Sequence, residues 1–332
     1  MHSTIKLIVI FTFTVLFGVA WTTGITHPRT SDFVVPKVHP PATDEPFYNE
    51  RFASWGMTRE AHSASAYTYD GKIKAFWYGG TQEGAGDVNI YSTTFAKGEW
   101  SKPRAIIDVA TVEKQLDRFV RKVGNAVAYH RGNGRIWLFF VSVSVGGWGG
   151  SSINLITSTD HGKTWSPAKR LVTSPFLNIS TLVKNPAFEY ADGTIGLPVY
   201  HEFIGKFGEI LRLDSSGRIL SKTRLSWGQS SLQPIITPIS TTTAVGYMRY
   251  AEHYGRVLHT VTHDRGLTWS KPGKLKLKNP NSPVFSFYTG QEILLIINNA
   301  DNNRTNLTLA ASQDGESWEL VHKLESIDPG PT

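Results

Sequence analysis

Three copies of one turn motif constrain this chain more than any other feature. Ser158-Thr159-Asp160-His161-Gly162-Lys163-Thr164-Trp165 follows the pattern S-x-D-x-G-x-T-W at every fixed position. Thr262-His263-Asp264-Arg265-Gly266-Leu267-Thr268-Trp269 differs only by Thr for Ser, and Ser312-Gln313-Asp314-Gly315-Glu316-Ser317-Trp318 is a shortened form. The chemistry of such a turn is local. A carboxylate caps backbone N–H groups, glycine takes a positive φ, and the Trp packs against a neighbouring layer. A turn that recurs this way implies a structural unit that recurs with it.

The unit is a set of four short β-type runs. Five sets follow one another, over residues 62–105, 125–172, 184–225, 232–278 and 282–324. Asp70-Gly71, Gly132-Asn133-Gly134, Asp192-Gly193 and Thr289-Gly290 join the first and second runs of their sets, as hairpins with positive-φ turns require. The three motifs lie between third and fourth runs. Four antiparallel strands repeated every 48 to 62 residues define propeller blades, and a β-sandwich would not group so regularly. The predicted fold class is therefore all-β, a β-propeller over residues 57–332. One short helix, within residues 110–122, is expected in a loop.

The flanking chain is different. Residues 1–23 hold the apolar run Leu7–Phe17 after Lys6, with Gly18-Val19-Ala20 behind it, and read as a signal peptide or an N-terminal membrane anchor. Residues 24–56 are Pro-rich and read as a linker with one entry strand near Phe47–Phe52. The expected location is secreted, periplasmic or membrane-anchored facing outside. With no Cys, neither a disulfide framework nor a thiolate metal site is available. The net charge is +7, of which Lys6 contributes one. Such an excess attracts acidic polymers. No Lys/Arg block of a nucleic-acid motif accompanies it, so an acidic glycan or exopolysaccharide is the expected partner. Most of the ten Trp are expected in core and turn packing.

Here the chain resembles the sialidase-like superfamily, specifically bacterial exo-α-sialidase-type proteins with BNR (Asp-box) repeats. Besides the boxes, the resemblance rests on His62-Ser63-Ala64-Ser65, Trp77-Tyr78-Gly79-Gly80-Thr81-Gln82-Glu83-Gly84 with Asp87-Val88, Lys184-Asn185-Pro186 and Asn279-Pro280-Asn281-Ser282. It implies a six-bladed propeller with a funnel-shaped glycan site, although only five blades are visible and the sixth is incomplete. Two positions depart from the family. Gln82 stands where Arg is common, and the Phe-Arg-Ile-Pro-like motif is absent, with Met57-Thr58-Arg59-Glu60 a loose substitute.

If the boxes mark one face of the propeller, the loops between second and third strands open on the other. Those loops carry Gln82, Glu83 and Asp87, then Trp148, then His201 and Glu202, then Arg249, Tyr250, Glu252 and His253, then Asn299, Asp301 and Arg304. The entries to first strands carry Arg59, His62, Arg118, Arg121, Asn125, Lys184, Asn185, Gln233 and Asn281. A solvated rim would look similar. Sialidase chemistry needs Arg forks for a sugar carboxylate, an acid/base carboxyl and a neutral Tyr nucleophile. By resemblance, Asp87 or Glu83 is the acid/base, Glu202 the base that activates a Tyr, and Tyr250 (or Tyr200) that Tyr. Arg249 and Arg121 are the carboxylate binders, with His62, Gln82, Asn125, Lys184, Asn185, Gln233 and Asn281 completing the substrate site. Glu83 as a mere loop charge, Arg249 as a partner of Glu252 and His62 as a structural His are the plainer readings. No spacing calls for a metal, and no Gly-rich strand–helix loop calls for a nucleotide, so no cofactor is expected.

These features imply a glycoside hydrolase of sialidase type acting on an acidic sugar. The rival readings are a polysaccharide lyase on uronic-acid polymers and a non-catalytic glycan-binding propeller.

Overall fold

The computed structural model describes residues 2–24, 30–38, 49–174, 178–228, 230–252, 255–301 and 303–326. Five antiparallel sheets occupy residues 60–326, each built from neighbours in sequence. Blade 1 runs from the inner strand Glu60–Tyr69 through Lys72–Gly80 and Asn89–Ala96 to a split outer strand, Glu99–Trp100 and Arg104–Ile107. Blade 2 contains Lys122–His130, Ile136–Val143, Ser151–Ser158 and Lys169–Arg170. Blade 3 has a broken inner strand, Leu182–Val183 and Phe188–Glu189, then Ile195–His201, Phe207–Leu213 and Ile219–Arg224. Blade 4 is Ser231–Pro238, Ala244–Tyr250, Arg256–Thr262 and Gly273–Lys278; blade 5 is Phe285–Tyr288, Ile293–Asn298, Asn306–Ser312 and Glu319–Ser326. The expected short helix is Val109–Leu116, N-capped by the Asp108 side chain.

The expectation of six blades is corrected: the described residues form five sheets and leave no strands for a sixth. Burial shows where the ring is thinly packed. All eight inner-strand residues of blade 4 are buried, whereas no inner-strand residue of blade 1 is, and Phe285 and Phe287 of blade 5 are exposed.

The turn motifs do what their chemistry predicts. Asp160 accepts from the Lys163 and Thr164 amides at 2.9 Å and from the Thr164 hydroxyl at 2.6 Å, while the Ser158 hydroxyl donates to it at 2.7 Å. Those hydrogen bonds, Thr164's foremost, hold its carboxyl well below the usual range. Asp264 and Asp314 repeat the arrangement. The Trp side chains then join blades. Trp165 of blade 2 meets Phe76 of blade 1 edge-on, and Trp318 of blade 5 meets Tyr247 of blade 4.

Little of the linker forms regular structure. Phe33 bridges to Tyr190 and is buried between Phe188 and Tyr190 of blade 3. Its amide donates to Thr241 of blade 4, and Asp32 pairs with Arg265 of that blade. This strap lies on the side of the hairpins and Asp boxes. Residues 49–52 are not in a strand, and the rest of the entry strand expected near Phe47–Phe52 lies outside the described residues, as does His253. The N-terminal helix is His2–Gly24; among the described residues no helix is long and apolar enough to cross a membrane.

Candidate functional site

The inner strands are bent in register, and the bends build the funnel. Pairing slips between His62 and Ser65 in blade 1, between Gly124 and Val127 in blade 2, and between Leu232 and Ile235 in blade 4. At each slip one non-glycine residue takes a positive φ: Ser63 at 50°, Asn125 at 48° and Gln233 at 53°. Asn281, just before the inner strand of blade 5, does the same at 51°. Such backbone costs energy for residues with a Cβ, and it re-aims their side chains. In blade 3 the break between the two inner segments presents Lys184 instead. The same wrinkle, repeated round the ring, thus turns polar side chains toward one cavity.

That cavity has a volume of about 390 Å³ and is polar. Ser63, Asn125, Lys184 and Gln233 meet there with His62, Tyr78, Glu83, Trp148, Tyr200, Glu202, Arg249 and Arg304. Lys184 reaches from blade 3 to the Ser63 hydroxyl of blade 1, donating at 2.5 Å. It sits deep in the funnel yet remains touched by water, and burial lowers its ammonium to about 8, helped by Arg249 and Arg304. Arg249 donates to Asn281 Oδ1 at 2.5 Å and to Gln233 Oε1 at 3.4 Å. Both acceptors are neutral, and its charge is offset only through space by the Glu202 and Glu83 carboxylates. Burial, and then the charge of Arg304, pushes its guanidinium down. Arg304 is fixed by the Asn281 carbonyl at 2.9 Å. Three cations therefore face one space.

The acidic groups stand opposite in role. The Tyr78 hydroxyl donates to Glu83 Oε1 at 3.0 Å, and burial together with that carboxylate pushes the phenol up. Glu60 steadies the pair. Its carboxylate accepts the Glu83 amide at 2.7 Å and contacts His62 Nε2 at 3.1 Å, while the His62 ring stacks on Tyr78. Burial raises the Glu202 carboxyl, which favours the protonated form a general acid needs. The Tyr200 oxygen takes amide N–H groups from Asn125 at 3.3 Å and Gln233 at 3.4 Å, leaving its own hydrogen for a ligand.

Of the residues singled out from sequence, the funnel gathers His62, Glu83, Asn125, Trp148, Lys184, Tyr200, Glu202, Gln233, Arg249 and Arg304. Asn281 lies behind them as the support of Arg249. The others lie elsewhere. The Asp87 carboxylate closes its own loop by accepting from the Thr81 amide and hydroxyl, both at 3.0 Å. Gln82 and Arg121 are exposed and do not line the cavity. Asn185 is buried and ties blade 3 to the Gln233 and Pro234 carbonyls of blade 4. Tyr250 packs beneath the Lys274 ammonium, 4.3 Å from its ring centre. Tyr78 lines the cavity too, without having been given a site role from sequence. Tyr78 was legible by aligning blades: it pairs with His62 just before the Ser63 slip, as Arg249 pairs with Leu232 just before Gln233. Among the described residues no cluster of His, Asp or Glu could hold a metal.

Five blades, three of them with Asp-box turns, round a cationic, Tyr-bearing funnel define a sialidase-like propeller. The chain belongs to the BNR repeat-like domain family, whose pattern it matches over residues 71–329. Solved structures agree on the fold. A Hadza microbial sialidase superposes with a TM-score of 0.69 at 16% identity, over 84% of this chain and 61% of its own. The NanB sialidase of Streptococcus pneumoniae gives 0.65 at 11%, over 86% and 64%. The leech intramolecular trans-sialidase gives 0.64 at 13%, over 85% and 64%. The chain thus spans less than two thirds of the length of each. Comparison with curated proteins finds no match.

Proposed function

We propose that this protein is an exported, sialidase-like glycoside hydrolase that acts on an acidic sugar of a surface glycan or exopolysaccharide. The observation that carries the reading is the meeting, in one cavity, of the Tyr78–Glu83 couple with Lys184, Arg249 and Arg304. The cations take the sugar carboxylate, Arg249 and Arg304 through their planar forks and Lys184 as a point charge. Tyr78 attacks the anomeric carbon as a neutral nucleophile, so the anionic substrate does not repel it. Glu83 receives the phenol proton, and Glu202, whose carboxyl burial raises, gives one to the leaving oxygen. Export rests on the apolar N-terminal segment. Localising the protein in fractionated cells tests that part separately.

The activity is tested with a fluorogenic α-sialoside. Release of fluorophore, lost in Tyr78→Phe, supports the reading. Unsaturated uronate absorbance from an acidic polysaccharide would replace it with a lyase. Saturable binding of acidic sugar without any turnover would leave a plain binding propeller.

A further inference from the structure

The glycosidase step gives no task to the bond between Lys184 and Ser63. A lysine set deep in a protein ordinarily pairs with a carboxylate. Lys184, on blade 3, instead donates to the hydroxyl of Ser63 on blade 1, 2.5 Å away, and both side chains line the funnel cavity.

Ser63 stands on the bulge of its inner strand, where the pairing slips between His62 and Ser65, and its φ is 50°. Backbone held in that region fixes the direction of the side chain. Asn125, Gln233 and Asn281 take comparable places in blades 2, 4 and 5. Their amides are engaged within the site: Asn125 and Gln233 donate to Tyr200, and Asn281 accepts from Arg249. Of these side chains only Ser63 carries a hydroxyl, and a hydroxyl can attack where an amide cannot.

The surroundings of Lys184 suit it to be the base. Burial lowers its ammonium to about 8; Glu83 of blade 1 opposes the shift, while Arg249 and Arg304 of blades 4 and 5 add to it. His62, Tyr78, Tyr200 and Glu202 are the other titratable groups of the same cavity. A neutral amine able to take a proton is therefore present near neutral pH.

We propose that Ser63 and Lys184 are a nucleophile–base pair that cleaves an O-acyl ester carried by the acidic sugar in the funnel. The neutral Lys184 nitrogen accepts the Ser63 proton as Oγ bonds to the acyl carbon. The carbonyl electron pair moves onto oxygen and returns as the bond to the sugar oxygen breaks, and the Lys184 ammonium gives its proton to that oxygen. Water then adds to the acyl–Ser63 ester and loses a proton to Lys184; the acid departs and Ser63 recovers its hydrogen. The Tyr200 hydroxyl, whose hydrogen neither Asn125 nor Gln233 takes, is a donor for the carbonyl oxygen. The substrate rests on the acidic-sugar reading, because Arg249 and Arg304 would hold it by its carboxylate; the Ser63–Lys184 pair itself does not. The proton decides the task of Lys184: charged, it joins the clamp, and neutral, it is the base.

The test uses the full-length protein and two probes. A fluorophosphonate, which reacts with activated serines, should add one phosphonate at Ser63, located by peptide mass mapping. The rate should rise about tenfold from pH 7 to pH 9 and be lost in Lys184→Met. Acetate release from O-acetylated N-acetylneuraminic acid, as a mixture of positional esters, should follow the same pH course and be lost in Ser63→Gly. Glycine adopts the positive φ of this bulge readily, so that variant should melt with the parent while lacking the hydroxyl. No adduct at Ser63 at any pH, or acetate release undiminished in Ser63→Gly, overturns the proposal, as does labelling of Ser63 without acetate release. Cleavage of the fluorogenic α-sialoside involves no acyl ester, so failure there removes the glycosidase and leaves Ser63 labelling as expected.

Discussion

The two faces of the propeller treat polar groups in opposite ways. In the Asp-box turns the carboxylates are answered from within a few residues, as Asp160 is by Ser158, Lys163 and Thr164. In the funnel, cations are held by neutral partners and left facing a cavity. The first arrangement stabilises the fold and needs nothing further. The second costs stability until a ligand arrives, which is how sites differ from scaffolds.

Four measurements can break or sharpen that contrast. The largest effect is expected at the Tyr78–Glu83 couple. Tyr78→Phe and Glu83→Gln should each lower kcat by about 10²–10⁴-fold with little change in KM, because the proton acceptor acts in the transition state. Equal losses in kcat from Tyr250→Phe would reassign the nucleophile.

Next comes the carboxylate clamp. A charge-assisted hydrogen bond contributes about 1.5–3 kcal/mol, so Arg249→Ala should weaken binding of an acidic sugar roughly tenfold to a hundredfold in calorimetry. Arg249→Lys should recover part of this, while Arg121→Ala should leave affinity unchanged. A large loss at Arg121 would show that the exposed rim, and not the cavity, holds the anion.

Lys184 gives a smaller effect with a distinctive sign. Its ammonium, lowered to about 8, is charged at neutral pH and loses its proton as pH rises through that value. Acidic-sugar affinity should therefore fall between pH 7 and 9. Stability should move the other way. The folded state holds the proton less tightly than the unfolded chain, so folding gains stability from about pH 8 up to the ordinary Lys range. Lys184→Met should raise stability at pH 7 by roughly 1–2 kcal/mol while weakening binding. A variant that loses both would mean that the bond to Ser63 is structural.

The smallest effect belongs to the scaffold. Burial raises the Asp264 carboxyl, but the Thr268 and Thr262 hydrogen bonds lower it further, so its net shift is downward. Its contribution is present above the ordinary carboxylate range and is lost as pH falls through the lowered value. Asp264→Ala should cost about 1 kcal/mol, as loss of a comparable cap does, with sugar affinity intact. Thermal melts at pH 7 and at successively lower pH check this: the gap between variant and parent should narrow as the pH falls below the ordinary carboxylate range.

The blades were legible in sequence because hairpin turns, period-two runs and Asp boxes are local signals. The set expected over residues 232–278 matches blade 4, whose strands run from Ser231 to Lys278. The site was half legible. Glu202, Arg249 and Lys184, chosen by their place in loops and strand entries, line one cavity, but which way a side chain faces depends on register. Arg249 and Tyr250 are adjacent in one strand, so alternation sends them to opposite faces, and only one could enter the funnel. Asp87 failed for a different reason: a short acidic side chain in a tight loop finds the nearest amide first. Tyr78 was hidden because its role emerges only when blades are laid over one another. The six-blade expectation came from resemblance alone, and the described strands stop at five.

The strap at Phe33 gives the funnel a mechanical property. Residues 31–34 stitch to blade 3 through Ala191, Asp192 and Glu189 and to blade 4 through Thr241 and Arg265, with Phe33 as the plug. Those are the blades that carry Lys184 and Arg249. A pull on the N-terminal segment is therefore borne in shear by a clasp across these two blades and does not peel the inner strand of blade 1. The clasp also sets the spacing of the two blades, as a staple holds two pages. Cutting it would let them part at the hairpin end and change the gauge of the cation trio from below.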